Sequence, residues 1–294
     1  MRLIVKRYVI IKHMENVLFV KKEKGMTSFD LCFKCRRVFN TRSIGHTGTL
    51  DPNATGVMII LIDKACKANQ FLVADTKEYV AFVEYGYETD TLDIDGEVIQ
   101  RMEYQAPTKE ELLKAMEKFK GEIEQIPPMT SAIKVNGKKL IDYKREGKTV
   151  EIPRRKVEIL KLELLANNDK GFIFKAKVSS GTYIRTLMQD ILKEMGLIGT
   201  LVDLTRTEVG KIKLDDCDDL KDVLEGNYHL HSLYDIMKDM YECVEVTNVD
   251  DIKNGKRFKY QSAAKRLLLV NNQEVLAIYD QEYPGIYKCV RGLF

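Results

Sequence analysis

Apolar and polar positions along the chain follow two different periods, which together predict a mixed α/β (α+β) protein. Short apolar runs that end at polar or glycine-containing turns are typical of buried strands, and strict alternation is typical of a half-buried strand. A spacing of three to four residues between apolar positions is typical of an amphipathic helix. The strands predicted in this way are residues 16–20, 57–62, 79–86 and 171–180, and the helices are residues 109–120, the segment from Ile184 to Gly196, about 217–225 and about 231–240.

Capping residues mark where two of the helices begin. Thr108 and Glu111 form a capping box, and Gly121 lies where a glycine commonly follows the last helical turn. Earlier in the chain, Thr27 or Ser28 can cap a helix that follows the first strand. The apolar face of that helix is predicted to carry Phe29, Cys32, Cys35 and Phe39.

The pattern changes after residue 241. Three short apolar runs, separated by Asn-Asn and Pro-Gly, predict a small all-β module at residues 241–294. Residues 14–240 would then form the main mixed domain, and residues 1–13 would be an N-terminal extension before an alternative start at Met14. The sequence therefore predicts two folded units in one chain.

Composition and charge narrow the class of protein. The chain has 294 residues, of which 45% are hydrophobic and 31% charged, as is ordinary for a folded globular protein. No apolar run approaches the roughly 20 residues that a membrane-spanning helix needs, so we expect no membrane association. The net charge of +3 is too small to require a nucleic-acid partner by itself.

The six cysteines lack the spacing of a disulfide framework, so we expect reduced thiols and a cytoplasmic protein. Cys32 and Cys35 form the only C-x-x-C, without the second pair of ligands that a zinc site needs. We interpret them as core residues on the inner face of a helix, and a metal or redox role is the alternative. No metal site is predicted.

The residues best suited to chemistry lie in the loop at residues 45–57, which reads Gly-His-Thr-Gly-Thr-Leu-Asp-Pro-Asn-Ala-Thr-Gly-Val. Its three glycines and its proline favour an irregular backbone directly before a predicted strand. Pro52 restricts Asp51 to extended conformations, so the carboxylate is held outside any helix. A rigid strand behind such a loop is where a reactive side chain is usefully presented. The alternative is a tight Asp-Pro turn without chemistry.

This loop closely resembles the catalytic motif of the TruB family of tRNA pseudouridine synthases. The resemblance implies a pseudouridine synthase fold with a largely antiparallel central sheet, a catalytic cleft and a small C-terminal PUA-like RNA-binding module. Other segments match the family in the same order between about residues 14 and 210. They are Lys24 to Ser28, Lys77 to Tyr79 and on to Gly86, Thr89 to Asp93, Gln125 to Pro128, Ser131 with Ala132 and Lys134, Gly181 to Arg185, and Leu204 with Arg206 and Gly210.

The resemblance also implies a role for each residue of the site. Asp51 would be the catalytic aspartate, acting as a nucleophile on the sugar or the base, or as a base at the ribose. Arg185 would pair with Asp51 and keep it ionised, and Tyr183 would pack beside them. Tyr79 would stack on the target uracil and help to remove the proton from C5. Leu204 would close the apolar wall of the base pocket.

The reaction implied by the resemblance converts uridine-55 in the T-loop of tRNA to pseudouridine. It breaks the N1–C1′ bond, turns the uracil and rejoins it through C5, so no atoms are gained or lost and no cofactor is expected. The target base must leave its stack, and His46 would take the space that it vacates. We therefore expect the T-arm of tRNA as the partner, no obligatory protein partner and a monomer.

Basic residues concentrate between residues 134 and 156, inside an insertion at about residues 100–156 that we expect to face the RNA. Such a stripe suits contacts with phosphates, and a solvated surface is the alternative. Ile141 and Lys144 stand where the family commonly has Tyr and Ala, and Thr205 stands where Arg is common. The residues expected to contact RNA are His46, Lys24, Lys134, Lys138, Arg145, Arg154 and Arg206.

Two other functions are open on the sequence alone. One is a catalytically silent RNA-binding protein with the same fold, although the complete set of Asp51, Tyr79 and Arg185 argues against it. The other is a guide-dependent synthase subunit of a ribonucleoprotein. The segments from Asn136 to Lys138 and from Arg145 to Gly147 look like the stand-alone bacterial type instead.

Overall fold

The computed structural model of the protein describes residues 15–72 and 76–294, so the extension predicted at residues 1–13 lies outside the described residues. The strands are β1 (Glu15–Lys22), β2 (Ile44–His46), β3 (Thr55–Ile62), β4 (Thr76–Tyr85), β5 (Tyr87–Thr89), β6 (Val98–Arg101), β7 (Gly121–Gln125), β8 (Lys134–Val135), β9 (Lys138–Lys139), β10 (Arg155–Asn168), β11 (Gly171–Ser179), β12 (Gly199–Val209), β13 (Ile212–Lys213), β14 (Asp218–Asp219), β15 (Leu230–Ser232), β16 (Glu242–Glu245), β17 (Phe258–Lys259), β18 (Arg266–Asn271), β19 (Glu274–Tyr283) and β20 (Ile286–Gly292). The helices are α1 (Ser28–Phe39), α2 (Lys109–Glu117), α3 (Leu140–Arg145), α4 (Ile184–Glu194), α5 (Leu220–Glu225), α6 (Leu233–Met237) and α7 (Val249–Lys253), with 3₁₀ helices at Asp63–Phe71 and Leu214–Asp216.

Eleven of these strands form one large mixed sheet. The path through it is β14-β1-β3-β12-β4-β11-β10-β7, and β2, β13 and β15 pair at its side. The run from β12 to β7 is antiparallel, whereas β12 lies parallel to β3 and β14 lies parallel to β1. The prediction of a mixed α/β fold with a largely antiparallel central sheet is therefore confirmed.

Strands β1 and β3 are continuous apolar runs because both of their faces are covered. Ile60 and its even-numbered neighbours on β3 pack into the core that contains α1 and α4. Ile59 and its odd-numbered neighbours pack into a second core that is shared with the C-terminal sheet. Side chains alternate between the two faces of a strand, so a strand buried on both faces shows no polar alternation. These strands are the rigid support for the loop of residues 47–54.

Helix α1 shows where the predicted apolar face was wrong. Thr27 caps the helix, and both Cys32 and Cys35 are buried as predicted. Burial raises the pKa of Cys32 to about 11 and that of Cys35 to about 12, as fits thiols in a core. Phe29, however, is 62% exposed. The buried face of the helix begins with Ser28. Consecutive residues lie about 100° apart around a helix, so the Phe29 side chain lies on the outer face.

The other predicted helices are confirmed in position but are shorter at their ends. Helix α2 has the predicted capping box, yet it ends at Glu117, and Gly121 begins strand β7 instead. Because α2 packs into the main core and β7 pairs with β10, the segment that stands apart from the sheet is narrower than residues 100–156. It comprises β8, β9 and α3.

No helix in the described part of the chain is long and apolar enough to span a membrane.

The C-terminal module is a five-stranded sheet with the order β16-β18-β19-β20-β17. The predicted small C-terminal β module is therefore confirmed, although it also contains the short helix α7, capped by Asn248, and is not entirely β. A helix of five residues is too short to show a clear period in the sequence. The domain boundary at residue 241 stays a prediction.

Candidate active site

The loop of residues 47–54 presents Asp51 between β2 and β3. At the start of α1, the buried hydroxyl of Ser28 accepts a hydrogen bond from the Leu50 N–H (2.9 Å) and donates one to the Leu50 carbonyl (3.1 Å). The Ala54 N–H donates to the Asp51 carbonyl (3.1 Å) and closes a turn. The tight Asp-Pro turn that the sequence offered as an alternative is therefore present, and it forms part of the support for the carboxylate.

Lys22 on β1 holds the other side of this loop, a role that sequence reasoning missed. Its side chain is almost completely buried, and its ammonium donates to the carbonyls of Pro52 (2.9 Å) and Ala54 (2.7 Å). Burial lowers the pKa of Lys22 to about 8, while the nearby negative charge of Asp51 opposes that shift. A buried ammonium is tolerated here because the loop supplies carbonyl partners.

Arg206 on β12 holds the loop from a third direction. Its guanidinium donates to the carbonyls of Val57 (2.7 and 2.9 Å), Gly48 (3.1 Å) and Thr49 (3.4 Å), and the residue is 2% exposed. The predicted RNA contact of Arg206 is therefore corrected, because its donors are used by the loop backbone. Gly56 allows this close packing: its φ is +110°, and a Cβ there would lie 2.1 Å from the Arg206 carbonyl oxygen.

The carboxylate of Asp51 faces the guanidinium of Arg185 at the start of α4. Nη2 of Arg185 lies 3.1 Å from Oδ2 and 3.3 Å from Oδ1 of Asp51. Nη1 lies 3.1 Å from Oδ2 of Asp93 and donates to the Thr91 carbonyl (3.0 Å) and the Thr130 hydroxyl (2.6 Å). The Arg185 side chain is only 5% exposed, so two carboxylates share one buried cation. Asp93 is a partner to which the sequence gave no role.

The pKa of the Asp51 carboxyl is raised above its ordinary value. Burial is the largest cause, and the negative charges of Asp93 and Asp95 raise it further, whereas the charges of Arg185 and Lys22 lower it. Solvent still reaches 38% of the side chain through the cavity, but the surrounding protein removes most of the water that would stabilise the charge. Arg185 therefore offsets part of the desolvation of the carboxylate, and its role in keeping Asp51 ionised stays a prediction.

Asp51 lies on the wall of a cavity of about 930 Å³. Sites for small molecules commonly have volumes of this order, so a single flipped nucleotide fits. The structure thus brings together side chains from β2, the loop, β4, α4 and β12, which are distant in sequence. The predicted site residues that line the cavity are Asp51, Tyr79, Tyr183, Arg185, Leu204, His46, Arg145 and Arg206.

His46 lies at the end of β2 on the cavity wall. Burial, and after it the positive charge of Arg206, lowers the pKa of the imidazole. Its buried Nδ1 has no hydrogen-bond partner among the residues that the structure describes. The imidazole is therefore neutral at neutral pH, which lowers the cost of moving it among stacked bases.

The other residues predicted to contact RNA are exposed or half-buried and lie outside the lining of the cavity. Lys24 pairs with Asp203 (3.4 Å), and Lys138 pairs with Glu146. Ion pairs this exposed are weak, so phosphates can compete for the cations. Predicted RNA contacts that do not line the cavity are Lys24, Lys134, Lys138 and Arg154.

Two further groups near the cavity had no predicted role, although both lie in segments that resemble the family. The buried amide of Gln125 accepts from the Tyr183 N–H (3.0 Å) and donates to the Tyr183 carbonyl (3.3 Å), which fixes the chain two residues before Arg185. Lys77 lines the cavity and donates to the Ser180 hydroxyl (3.1 Å). Burial, followed by a neighbouring arginine, lowers the pKa of Lys77 to about 8.

Comparison with known proteins places this site in a family. Residues 36–184 match the model of the TruB family pseudouridylate synthase (N terminal domain). The chain is 36% identical over 299 residues to tRNA pseudouridine synthase B of Bacillus cytotoxicus, which covers 95% of this chain and 97% of that one. It is 42% identical over 219 residues to tRNA pseudouridine synthase B of Bacillus pumilus, covering 71% of each chain. The chain belongs to the TruB pseudouridine synthase family.

Solved structures confirm that the fold of this TruB family member extends beyond the matched domain. The chain resembles one in an H/ACA ribonucleoprotein bound to a substrate RNA containing 2′-deoxyuridine, with a TM-score of 0.71, 19% identity and coverage of 95% of this chain and 85% of that one. It also resembles a chain of a Cbf5-Nop10-Gar1 complex, with a TM-score of 0.68, 20% identity and coverage of 92% and 80%. At these identities the likeness establishes the fold alone.

Proposed function

We propose that this TruB family member is an isomerase that converts uridine-55 in the T-loop of tRNA to pseudouridine, with Asp51 as its catalytic carboxylate. The observation that carries the proposal is the ion pair of Asp51 with buried Arg185 on the wall of a cavity that a nucleotide fits. The relatives named tRNA pseudouridine synthase B support tRNA as the class of substrate.

The reaction needs a carboxylate and a base pocket rather than an external reagent. The N1–C1′ bond breaks, the uracil turns, a C5–C1′ bond forms, the proton on C5 leaves and N1 gains a proton. All atoms balance within the nucleotide and solvent, so we propose that no cofactor takes part. Asp51 acts as a nucleophile on the sugar or the base, or as a base at the ribose, and each route uses its ionised form.

The cavity walls supply what a flipped uracil requires. Tyr79 offers an aromatic face and Leu204 an apolar surface, and both are largely buried beside Asp51. We assign to Tyr79 the stacking on the uracil and assistance in the removal of the C5 proton. The neutral imidazole of His46 enters the space that the base leaves, and Tyr183 packs beside the ion pair.

Phosphate contacts come from cations at and around the cavity. Lys77 and Arg145 line it and would meet the backbone of a nucleotide held at Asp51. Their present partners are a hydroxyl, Ser180, and an exposed carboxylate, Asp142, and a phosphate would compete with both. The surrounding surface adds the cations predicted from the sequence, and residues 241–294 act as a PUA-like RNA-binding module. We propose that the chain acts as a monomer on bare tRNA. The cations of the surrounding surface are Lys24, Lys134, Lys138 and Arg154.

A T-arm stem-loop without other proteins or guide RNA tests substrate and position together. Primer-extension mapping after carbodiimide treatment should show pseudouridine at position 55 only, formed in excess over enzyme, and none when the target is cytidine. Tight binding without product would favour the silent RNA-binding protein instead. Product that requires a guide RNA or accessory protein would favour the ribonucleoprotein subunit.

A further inference from the structure

Helix α1 carries an aromatic and basic face that the proposed reaction does not use. Phe29 is 62% exposed and Phe33 is 47% exposed, and the two lie four residues apart on the outer side of the helix. The guanidinium of Arg36 lies 5.6 Å from the centre of the Phe29 ring, and that of Arg37 lies 4.9 Å from the centre of the Phe33 ring. These four residues are called the α1 aromatic face below.

Charge around the α1 aromatic face is positive. Neither Arg36 nor Arg37 forms an ion pair with a carboxylate anywhere in residues 15–72 and 76–294. Asp30 is the acidic residue next to the face, and its carboxylate is held by the N–H (2.9 Å) and hydroxyl (2.7 Å) of Thr27. Two exposed aromatic rings bordered by cations with no acidic partner suit a polyanion with flat apolar groups.

The position of this face indicates which polyanion it meets. Phe29 lines the same cavity as Asp51, and Arg37 follows it by eight residues, about 12 Å along a helix. An RNA whose uridine enters the cavity therefore has its neighbouring nucleotides beside the helix. An RNA loop also offers unpaired bases beside the target, and aromatic side chains are surfaces on which such bases stack.

We propose that Phe29 and Phe33 stack on unpaired bases that flank the target uridine, while Arg36 and Arg37 neutralise the adjoining phosphates. The inference rests on the proposed function, because it takes the RNA held at Asp51 as the occupant. The same face of a second copy, or an apolar protein segment, would leave the two cations without partners in the contact, so charge favours RNA over both.

Leucine substitutions separate stacking from simple apolar contact, because leucine keeps an apolar side chain and removes the ring. Fluorescence anisotropy with a labelled T-arm stem-loop should show binding about tenfold weaker or more in each of the single variants Phe29→Leu and Phe33→Leu, given the usual contribution of base–aromatic stacking. Phe33→Tyr, which keeps the ring, should stay within about twofold of wild type. Leu113→Ala is the control, since Leu113 is a helical apolar side chain that is 42% exposed and does not line the cavity.

Two further measurements distinguish a docking role from a structural one. In steady-state turnover, the leucine variants should raise KM more than they lower kcat. Arg37→Gln should reduce the slope of log Kd against log salt concentration by about one, as expected for one lost phosphate contact. Circular dichroism of each variant reports whether α1 still folds.

Several outcomes would overturn the inference. Leucine variants that bind RNA like wild type exclude stacking, and a Phe33→Tyr variant that is as weak as Phe33→Leu does so as well. Leucine variants that bind RNA normally but change the sedimentation of the protein would assign the face to a second copy. A different outcome separates the two proposals: wild type that makes no pseudouridine, yet binds RNA through these two rings, would contradict the proposed function and support the stacking contact.

Discussion

The shared cation at Arg185 helps to set the charge state of Asp51, on which the proposed catalysis depends. Arg185 is within 3.1 Å of carboxylate oxygens of both Asp51 and Asp93, so neither aspartate has the guanidinium to itself. Burial raises the pKa of Asp51, and the charge of Asp93 adds to that effect. As the pH is lowered, activity is therefore expected to be lost at a higher pH than it would be with an aspartate of ordinary pKa.

The two neighbours of Asp51 should move this acid limb in opposite directions. Asp93→Asn removes a charge that raises the pKa of Asp51, so the single-turnover rate should persist to lower pH than in wild type. Arg185→Gln removes a charge that lowers the pKa, so the rate should be lost at higher pH. Rates measured between about pH 4.5 and pH 8 check both shifts against the usual range for aspartate. If the acid limbs of both variants moved to lower pH, or both to higher pH, the shared-cation account would be contradicted.

The raised pKa of Asp51 also predicts an effect on stability. A carboxyl whose pKa is higher in the folded protein than in the unfolded chain binds its proton more tightly when folded, so the free energy of unfolding decreases as pH rises above about 3.8. The loss is complete once the pH exceeds the pKa of Asp51 in the folded protein. Asp51→Asn removes the charge and leaves Arg185 paired with Asp93, so its Tm at pH 7 should equal or exceed that of wild type. A Tm several degrees lower would show that the ion pair stabilises the fold.

At the scale of single residues, the resemblance pointed to the proposed reacting groups but not to the residues that support them. Asp51, Tyr79 and Arg185 come from local motifs, and they meet in one cavity. Lys22 was given no role and Arg206 was predicted to contact RNA, because a sequence does not show where buried carbonyl groups need donors. Only the packing of β1 and β12 against the loop reveals that requirement.

Gln125 links strand β7 to the start of helix α4, because its side-chain amide bonds both the backbone N–H and the backbone carbonyl of Tyr183. Gln125→Leu would leave these groups unpaired, which should lower the free energy of unfolding by about 2 kcal/mol and lower kcat through displacement of Arg185. Urea unfolding and steady-state kinetics check both effects. Gln189→Ala on α4, the helix that carries Arg185, loses a hydrogen bond to Glu88 (3.1 Å). It should lower the free energy of unfolding by less than about 1 kcal/mol. Equal stability of the two variants would contradict the role of Gln125.

Lys144 fastens the segment of β8, β9 and α3 to the hairpin of β5 and β6. Its ammonium lies 2.6 Å from a carboxylate oxygen of Asp90 and 2.9 Å from the Asp90 carbonyl oxygen. Both side chains are about one-third exposed, so the pair should contribute less than about 1 kcal/mol to global stability. Lys144→Ala should leave Tm nearly unchanged and accelerate trypsin cleavage within the segment. Lys148→Ala, whose partner Glu146 lies inside the segment, is the matched control, and equal cleavage rates would contradict the fastening role.

Elements with a clear pattern of apolar residues could be predicted from the sequence. Strands that contact both apolar and polar neighbours could not. The continuous run of β3 was found because both of its faces are buried. The central strand β12 was missed, because polar residues interrupt its apolar pattern. Thr205 and Arg206 find their partners on β3 and in the loop of residues 47–54. Thr205, at a position where arginine is common in the family, bonds the hydroxyl of Thr55 (2.9 Å).

In the whole molecule, the C-terminal sheet shares a hydrophobic core with strands β1 and β3. Val17 and Phe19 from β1 lie in one cluster with Leu268 and Ile278 from the module. The apolar runs predicted two buried faces but could not say what covers each one, because that depends on the placement of a segment more than 200 residues away. The large sheet and the module are therefore expected to unfold together.

A core substitution tests this coupling. Ile278→Ala leaves a cavity in the shared core and should lower the free energy of unfolding by about 3 kcal/mol. Leu269→Ala, within the module's own core, is the comparison. Calorimetry should show one transition that moves down in temperature for both variants. Two transitions, of which only one responds, would show that the module unfolds independently.

The most direct test of the central claim is tritium release from a tRNA transcript labelled at uridine C5, comparing wild type with Asp51→Asn. Isomerisation replaces the C5–H bond by a bond to C1′, so released tritium reports the reaction itself. Wild type should release tritium over many turnovers, and Asp51→Asn should release none above background while it still binds tRNA. Release by Asp51→Asn at a rate near that of wild type would contradict catalysis by this carboxylate.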